Sequence, residues 1–548
     1  MDTKKAVEKL AIDLDSIADQ NTRILIRHLL NLIEQQAETI KELQKENQKL
    51  RDEINHLKGE QGQPKIRKQT SRNEDISSEE ERKKRKVKKE RNKKDKKKEK
   101  LVVHKTERRF VDKSELPEDV VFKGYHSTIS QDILISPCNI RFEREVYYSP
   151  SLKKSIMAPL PEGYTGDFGP SIKALILDLH HQKEMTESSI HSFLTTHGIK
   201  ISKASISRIL TDNHDTFHQE KEAIVSAGLK SSEYQQMDDT GARVNGKNHY
   251  MHILCNEFYT AYFTRKDKSR LTIIDILSQG DMKFYFNECA YALMEQMQIS
   301  QKMLDSLKGS SPKPVMDRDE VDIFLKKLLP DATKQKTNRQ IILEASAIIC
   351  YQSKPDAIKI LLTDDAPQFK QITELLALCW IHDGRHYKKL SPIIPLHRKI
   401  LDDFLEQYWD YYHELLQYQE NPSPVLAEIL SMQFDTLFST ITEYKKLDER
   451  ILKTKHKKDT LLQVLRCSAL PLHNNTSELG ARKQARYRDI SFHTINQKGT
   501  EANDTFKTIV QTAKKLGVNS YQYLRDRISN TLPRPSLPTL ILAAVDSS

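Results

Sequence analysis

The stretch "YQQMDDTGARVNGKNHYMHILCNEFYTAYFTRKD", residues 234–267, contains three short runs rich in aromatic and β-branched side chains. The turn-forming segments "NGKN" and "NEFYT" separate these runs. Short runs of this composition, divided by turn residues, predict a three-stranded antiparallel meander. The first run also holds two adjacent acids, Asp238 and Asp239. The stretch therefore predicts a sheet whose first strand carries carboxylates.

The segments that follow predict a helix and two further strands. "SRLTIIDILSQ" (269–279) predicts the helix. "PDAIKILLTDDAPQF" (355–369) and "LLALCWIHDGRHY" (375–387) each predict an apolar strand that ends in polar residues. Three consecutive strands, then strands separated by helices, is the order of an RNase H-like fold. We therefore expect a mixed α+β, multidomain chain with an RNase H-like catalytic domain.

Acidic residues stand at three places in this predicted fold. Asp238 lies in the first strand, Asp364 and its neighbour Asp365 end the fourth, and Glu478 begins a late helix. The first and fourth strands are neighbours in an RNase H-like sheet, so these carboxylates can lie side by side. Clustered carboxylates repel one another unless cations neutralise them. The set therefore predicts a site for two divalent cations, of the kind that serves in-line phosphoryl transfer.

Each acid also has a simpler interpretation. "DDTG" is compatible with a turn at a strand end, and "TDDAP" with a loop that caps a helix. Glu478 could complete a capping box with Asn475 as the N-cap residue.

The choice of Mg²⁺ or Mn²⁺ over zinc rests on the hard oxygen ligands and on the lack of a cysteine or histidine cluster in the pattern.

Residues 171–215 predict a helix-turn-helix segment. Thr186 and Ser202 are candidate N-cap residues, and Gly198 makes the turn between two of the helices. Small, polar and basic side chains that face outward on the last helix suit a recognition helix in a DNA major groove. The candidates are Lys203, Ser205, Ser207 and Arg208. Helical hairpins of this pattern also occur in proteins that do not bind DNA, so both interpretations stay open.

Residues 20–58 follow a heptad pattern. One seam position holds Ile26, Ile33, Ile40, Asn47 and Ile54, and the other holds Leu29, Gln36, Leu43, Leu50 and Leu57. Isoleucine at the first position and leucine at the second favour a parallel two-stranded coiled coil, whose register a paired Asn47 would fix. The pattern predicts a homodimer. The alternative is one amphipathic helix that packs on its own chain.

The chain of 548 residues is basic because of one segment. Its formal net charge is +11, and residues 82–100 alone carry fourteen basic and three acidic side chains. Such a block repels itself and is expected to be disordered when free. It is expected to bind nucleic acid through counterion release. A solvated linker is the alternative.

The six cysteines include no C-x-x-C pair, which argues against a zinc site and against a disulfide framework. The opening "MDTKKAVEKL" lacks the apolar core of a secretory signal. No apolar run reaches membrane-spanning length. We therefore expect a cytoplasmic protein that has no membrane partner.

Composition and patterning divide the chain into seven predicted parts. These are an N-terminal coiled coil (1–58), a basic disordered linker (59–115), a small β- and turn-rich segment (116–170), the helix-turn-helix segment (171–215), the first part of the catalytic core (216–390), a helical insertion (391–468), and the Glu478 helix with C-terminal helices (469–548). The insertion is expected because the gap between Asp364 and Glu478 is long for a bare RNase H fold.

Several motifs carry a resemblance to a known family. They are "PLPEGYTGDFGP" (159–170), "MDDTG" (237–241), "LLTDD" (361–365), "LCWIHDGRHY" (378–387), "HNNTSELGAR" (473–482) and the C-terminal stretch 499–528. With these motifs the chain resembles the DDE transposases of bacterial insertion sequences, most closely the insertion sequence 66 family. That family shows Asp-Glu-Thr, Thr-Asp, Cys-Trp-x-His and Asn-Asn-x-x-Glu-Arg at the matching places. Its cysteine-rich zinc segment is not matched, because Cys138 stands alone.

The resemblance implies a transposase whose catalytic and metal-binding acids are Asp238, Asp364 and Glu478, with Asp239 and Asp365 as alternatives in register. As a dimer it would bind the inverted repeats that end its element, cut one strand with metal-activated water, and join the new 3′-hydroxyl to target DNA. It implies double-stranded DNA as the partner, possible accessory proteins, and a nucleoid-associated place in a bacterial cytoplasm.

Cationic residues near these acids are candidate DNA contacts. Arg482 and Arg486 follow Glu478 by four and eight residues on one helix face, where they would contact phosphate or pair with Glu478. Arg385 and Lys388 follow the fifth strand and are expected to line the DNA path. Trp380 is either a wedge against an unpaired base or a buried core residue.

Two other classes of function stay open. One is a non-catalytic, dimeric DNA-binding regulator. The other is an RNase H-like nuclease that cuts DNA and does not join it.

Overall fold

The computed structural model describes residues 17–57, 102–112, 121–133, 135–331, 335–531 and 533–547. The basic block at residues 82–100 lies outside the described residues, as does most of the predicted linker. Within the described part of the chain, no helix is both long enough and apolar enough to cross a membrane.

The described residues combine helices with one five-stranded sheet and two two-stranded sheets. The helices are α1 (Gln20–Leu57), α2 (Pro170–His181), α3 (Glu187–Thr196), α4 (Lys203–Thr211), α5 (Asp215–Lys230), α6 (Arg270–Leu277), α7 (Glu288–Gln296), α8 (Gln301–Gly309), α9 (Arg318–Leu328), α10 (Lys336–Gln352), α11 (Trp380–Lys388), α12 (Pro395–Glu420), α13 (Pro424–Leu437), α14 (Lys445–Lys455), α15 (Lys458–Leu461), α16 (Asn475–Ser491), α17 (Gln497–Lys515), α18 (Ser520–Ile528) and α19 (Leu537–Asp546). The strands are β1 (Val146–Ser149), β2 (Lys154–Met157), β3 (Tyr234–Val244), β4 (Lys247–Cys255), β5 (Thr260–Arg265), β6 (Phe284–Tyr285), β7 (Val315–Met316), β8 (Ile360–Thr363) and β9 (Leu375–Leu378).

The five-stranded sheet has the strand order β5-β4-β3-β8-β9. β3, β4 and β5 pair antiparallel, and β8 and β9 extend the sheet in parallel beside β3. Asn245 and Gly246 connect β3 to β4 with φ values of 48° and 72°, and positive φ at both residues is what a tight Asn-Gly hairpin needs. The predicted meander and the predicted contact between the first and fourth strands are confirmed.

The prediction of one strand over residues 375–387 is wrong in its second half. β9 ends at Leu378, and helix α11 begins two residues later. Trp380, Gly384 and Tyr387 are buried along one face of α11. Their spacing of four and three residues is helical, so burial of that face favours a helix over a continued strand.

Helix α17 covers the outer edge of β5. The unpaired N–H groups of an edge strand need partners. Alternate N–H groups of β5 donate to side-chain oxygens of α17: Thr260 to Thr512, Tyr262 to Thr508, and Thr264 to Asp504. Four residues of helix rise about 6 Å and two residues of strand about 6.6 Å, so the acceptors on α17 stay aligned with the N–H donors of β5. This edge of the sheet is therefore closed to further strands.

Helix α16 lies on the face of the sheet formed by β3 and β4. Its Ala481 packs against a small buried cluster that contains Met251, Ile253 and Tyr262. Gly480 allows the close approach, because a Cβ at this position would lie 2.8 Å from Cγ2 of Ile253. The first turn of α16 is therefore held near β3.

The predicted helices in residues 171–215 are present as α2, α3 and α4. Thr186 and Ser202 cap α3 and α4 by accepting hydrogen bonds from backbone N–H groups, as predicted. Gly198 has φ +81°, which suits its turn position. Whether this segment binds DNA stays a prediction.

Helices α12 to α15 lie within the predicted insertion, residues 391–468. Trp380 is fully buried against it, and its indole N–H donates to the carbonyl of Leu461 over 2.9 Å. Its ring packs near those of Tyr408 and Phe434. Trp380 is therefore a core residue, and the interpretation of it as a wedge against DNA is wrong.

Helix α1 contacts its own chain along its first half. Glu34 is buried at the start of α12, where it accepts hydrogen bonds from the backbone of Ile393 and Ile394 and pairs with His397 at 3.5 Å. A carboxylate at this position also interacts favourably with the positive, N-terminal end of the α12 dipole. The interpretation of a helix packed on its own chain is therefore confirmed for the first half of α1.

The second half of α1 is different. The apolar seam residues Ile40, Leu43, Leu50, Ile54 and Leu57 are each at least 49% exposed. The predicted coiled coil through these residues stays a prediction.

Candidate active site

Asp238 lies in β3 opposite Ile253 of β4 and is half-buried. Burial, followed by the charges of Asp364, Asp239 and Glu478, raises the pKa of its carboxyl to about 7. Nearby negative charges act in this way because they disfavour a second ionised carboxylate. The first strand, the fourth strand and the late helix thus bring their acids within electrostatic reach of one another.

Asp239 has partners that Asp238 lacks. The amide of Gln368 donates to its carboxylate over 2.8 Å, and the ammonium of Lys268 lies 3.4 Å from it. Asp239 is therefore an acid that the protein already pairs.

Asp364 and Asp365 differ in the same way. Asp364 follows β8 directly, and its carboxylate accepts a hydrogen bond from the backbone N–H of Ala366 over 3.1 Å. Asp365 lies 2.7 Å from Lys457 and 3.3 Å from Lys370. Burial tends to raise the pKa of Asp365, but the two lysines together hold it below its usual range.

Glu478 lies in the first turn of α16 and is largely buried, with 12% of its side chain exposed. Its carboxylate lies 3.2 Å from the guanidinium of Arg385, 3.5 Å from Nδ1 of His382 and 3.8 Å from Arg482. Arg482 thus makes the pair with Glu478 that was the alternative to a phosphate contact. Arg385 and His382 come from α11, so α11 and α16 meet at this carboxylate.

The predicted capping box at Glu478 is wrong. The N-cap residue of α16 is Asn474, not Asn475, and no side chain makes a cap hydrogen bond there. The side chain of the buried Asn474 instead donates to the carbonyl of Met237 over 2.9 Å. Its backbone N–H donates to the sulfur of Cys379 over 3.3 Å. Asn474 therefore fastens the start of the Glu478 helix to β3, one residue before Asp238, and to the β9–α11 corner.

A cysteine and a histidine also lie beside Glu478. One ligand atom from each of Cys379, His382 and Glu478 lies within 4.8 Å of the other two. The expectation that the acids have no cysteine or histidine neighbours is therefore wrong. Burial raises the pKa of the Cys379 thiol to about 11, so it is a neutral hydrogen-bonding group in the protein as described. C-x-x-C spacing does not reveal this cluster, because Cys379 and His382 stand in C-x-x-H spacing and Glu478 lies far from them in sequence.

The donor set fits a divalent cation. Burial and the neighbouring carboxylates raise the pKa of Asp238, and a cation held between Asp238, Asp364 and Glu478 would neutralise their charge. The oxygen ligands suit Mg²⁺ or Mn²⁺, and His382 and Cys379 widen the choice. A cleft of about 370 Å³ opens beside these residues.

Comparison with known proteins bears on this arrangement. Residues 165–293 match the family model described as "Transposase IS66 family". Over these residues, called the IS66 region below, the chain is similar to the IS66 transposase family. The predicted resemblance is thereby confirmed.

A curated relative is similar over a longer span. "Uncharacterized protein y4jO" of Sinorhizobium fredii (strain NBRC 101917 / NGR234) is 29% identical over 308 residues, which cover 56% of this chain and 94% of the relative. The IS66 region contains α2 to α6 and the meander β3–β5, and thus Asp238. Asp364 and Glu478 lie beyond it, so their assignment rests on the geometry described above.

The remaining predicted DNA contacts divide into two groups. Lys203, Ser205, Ser207 and Arg208 lie on α4 in the IS66 region, where Lys203 and Arg208 are exposed. Arg385, Lys388, Arg482 and Arg486 lie on α11 and α16, the helices that meet at Glu478. Arg385 and Arg482 contact Glu478, whereas Arg486 is exposed. The structure therefore brings Arg385 and Arg482 to the acids, and it keeps the first group on a separate helix.

Proposed function

We propose that this chain is a DNA transposase with an RNase H-like catalytic domain, which cuts and joins DNA strands with Asp238, Asp364 and Glu478. The match to the transposase family model over the IS66 region supports transposition and DNA as the partner. The strand order β5-β4-β3-β8-β9 supports the RNase H-like assignment. The proposal includes a homodimer through α1 and DNA contacts from α4.

One observation carries the choice of acids. Asp238 has a pKa of about 7, and the charges of Asp364 and Glu478 contribute to it. Asp239 and Asp365, by contrast, are paired with lysines. Of two neighbouring acids, the one without a lysine partner is the freer to bind a cation, and this difference favours Asp238 over Asp239 and Asp364 over Asp365. Glu478 has no acidic neighbour in sequence and is chosen for the effect of its charge on Asp238, and a bound cation would replace its contact with Arg385.

The chain's own residues have separate roles in this proposal. A divalent cation held by the three acids would stabilise the attacking and leaving oxygens of a phosphoryl transfer. Arg385, Lys389 and Lys457 line the adjoining cleft, where they would bind DNA phosphates. Asn474 and Cys379 hold the first turn of α16, and thus Glu478, against β3.

The test is a strand-transfer assay with the full chain, Mg²⁺ and DNA that carries the sequence flanking its gene and a pre-formed 3′-hydroxyl end. Asp238→Asn, Asp364→Asn and Glu478→Gln should each lose more activity than the roughly 10- to 100-fold that outer-shell changes cost. The same variants should bind DNA as the wild type does. The matched controls Asp239→Asn and Asp365→Asn should stay within about 10-fold of it.

The outcomes separate the three classes of function. Joined products support a transposase, cut products alone a nuclease, and binding alone a regulator. Full activity of Glu478→Gln, or equal losses in the controls, contradicts the assignment of the acids.

A further inference from the structure

A second cleft lies at the far end of the β3–β4 hairpin, away from the acids along β3. Its volume is about 520 Å³. The side chains that matter for its chemistry are Arg243, His249, Tyr250, Arg488, Phe492 and His493. A cleft of this size is within the range of small-molecule and nucleotide sites.

The charge of this cleft suits an anion. Four of its side chains are basic types, and none of the residues that line it is acidic. Arg243 is exposed, and Arg488 is anchored because its guanidinium donates to the carbonyl of Gly241 over 3.0 Å. An arginine held in place by one backbone bond keeps further N–H groups for a ligand. A phosphate group is the anion that such a fork binds well.

The aromatic side chains of the cleft suit a nucleobase. Phe492 is 72% exposed and has φ +59°, a conformation that bulky side chains rarely adopt. The backbone around it is held by the bonds from Asn245 N–H to Thr494 carbonyl and from Thr494 N–H to Arg243 carbonyl. The framework thus presents a large aromatic ring to solvent in a strained conformation. Backbone strain of this kind is often found at binding sites.

The cleft is connected to the acids by shared elements. β3 carries Asp238 and then lines the cleft, and α16 carries Glu478 in its first turn and Arg488 in its last. Lys268 lies 3.4 Å from Asp239 and 5.6 Å from the centre of the Tyr250 ring. A DNA strand that passes the acids along β3 would therefore reach the cleft.

We propose that this cleft binds an unpaired nucleotide of the DNA strand that passes the acids. The base stacks on Phe492, and Arg243 and Arg488 bind the adjoining phosphate. The base is unpaired, because a ring can stack on the full face of a base only when that base is outside a continuous duplex. The inference rests on the proposed function for the identity of the ligand as DNA.

The test compares two labelled DNA probes by fluorescence anisotropy with the full chain. One is a duplex with flush ends, and the other is the same duplex with a short single-stranded extension. The wild type should bind the extended duplex more tightly. Phe492→Gly, which removes the ring and relieves the positive φ, should weaken binding of the extended duplex by roughly 5- to 100-fold. It should leave binding of the flush duplex within about twofold.

Two controls sharpen the result. Phe492→Tyr keeps a stacking ring and should bind both probes as the wild type does. Tyr148→Ala removes an exposed ring of β1, outside the cleft, and should change neither affinity.

The outcomes distinguish the two proposals. Equal binding of the two probes by the wild type, or no effect of Phe492→Gly, overturns the nucleotide site and leaves the transposase proposal standing. Failure of the wild type to bind either probe overturns both. If cleavage depends on Glu478 but Phe492→Gly leaves the preference for the extended duplex unchanged, the cleft does not bind a nucleobase.

Discussion

Successive side chains of a strand point to opposite faces, so Asp238 and Asp239 cannot both point towards the same neighbour. The residues that pair with Asp239, Lys268 and Gln368, come from distant parts of the sequence. The sequence identifies the pair of acids but not which one lacks a partner, because those partners are set by tertiary contacts. The same holds at Asp364, whose neighbour Asp365 is paired with Lys457.

A buried histidine provides a prediction about pH. His181 of α2 stacks on Phe506, and neither of its ring nitrogens has a hydrogen-bond partner among the described residues. Burial, followed by the charges of His180 and Lys507, lowers the pKa of His181 well below its usual value. Below a pH of about 6.5, His181 therefore takes up a proton in the unfolded chain but stays neutral in the folded chain. The free energy of unfolding should fall as the pH falls through this range.

His181→Phe should remove this acid sensitivity. Between about pH 7.5 and about pH 5, the wild type should lose about 2 kcal/mol more of its free energy of unfolding than the variant does. Urea denaturation at the two pH values measures the difference. His126→Phe, at an exposed position, is the control and should keep the wild-type dependence. Equal pH dependence in wild type and His181→Phe would contradict the argument.

At the scale of elements, the strands of the meander and β8 follow from local composition and turn residues. α11 does not, because the apolar residues 375–381 continue the pattern of a strand into a helix. Only burial against the insertion identifies its helical face. The closing of the β5 edge by Asp504, Thr508 and Thr512 also depends on a helix that lies more than two hundred residues away in sequence.

The close packing of α16 against the sheet at Gly480 leads to a prediction about this helix. A Cβ at Gly480 would lie 2.8 Å from Ile253, a buried β-branched residue that has little room to move. Gly480→Ala should therefore push the first turn of α16, with Glu478, away from β3. Overpacking costs about 1–3 kcal/mol, of which the higher helix propensity of alanine offsets about 1 kcal/mol. Strand cleavage should fall by up to about 100-fold, because catalysis tolerates displacement poorly.

The control for this change is Gly309→Ala at the end of α8, where no atom lies within 4 Å of the added Cβ. It should leave both stability and cleavage close to the wild type. Thermal denaturation and the strand-transfer assay together measure the two effects. A Gly480→Ala variant with full activity would show that α16 can shift without moving Glu478 out of position.

At the scale of the molecule, α1 combines both interpretations that the heptad pattern allows. Glu34 attaches its first half to the insertion, and every apolar seam residue from Ile40 onward is exposed. Heptad spacing cannot separate the two, because the same apolar stripe serves a partner helix or the chain's own core. The position of Glu34 at the start of α12 depends on the tertiary fold.

The exposed seam predicts a dimer that depends on residues 40–57. Leu50→Lys places a charge in each copy of the seam and should raise the dimer dissociation constant by at least about 100-fold. Sedimentation velocity over a range of concentrations measures it. Lys45→Glu, at an outward position of the same heptads, should leave the dimer intact. Wild type that sediments as a monomer at every concentration would exclude this seam as the interface.

β3 joins the acid site to the nucleotide cleft by one uninterrupted strand. The cleft begins at Gly241, three residues after Asp238, and three residues of strand rise about 10 Å. Along one DNA strand that length corresponds to about three nucleotide steps. On the proposed assignments, the length of β3 between Asp238 and the cleft sets how far from the cut a single-stranded nucleotide is held. Because the hydrogen bonds of β4 keep this stretch of β3 extended, the offset is a fixed property of the protein and would change only if a residue were inserted into or removed from β3.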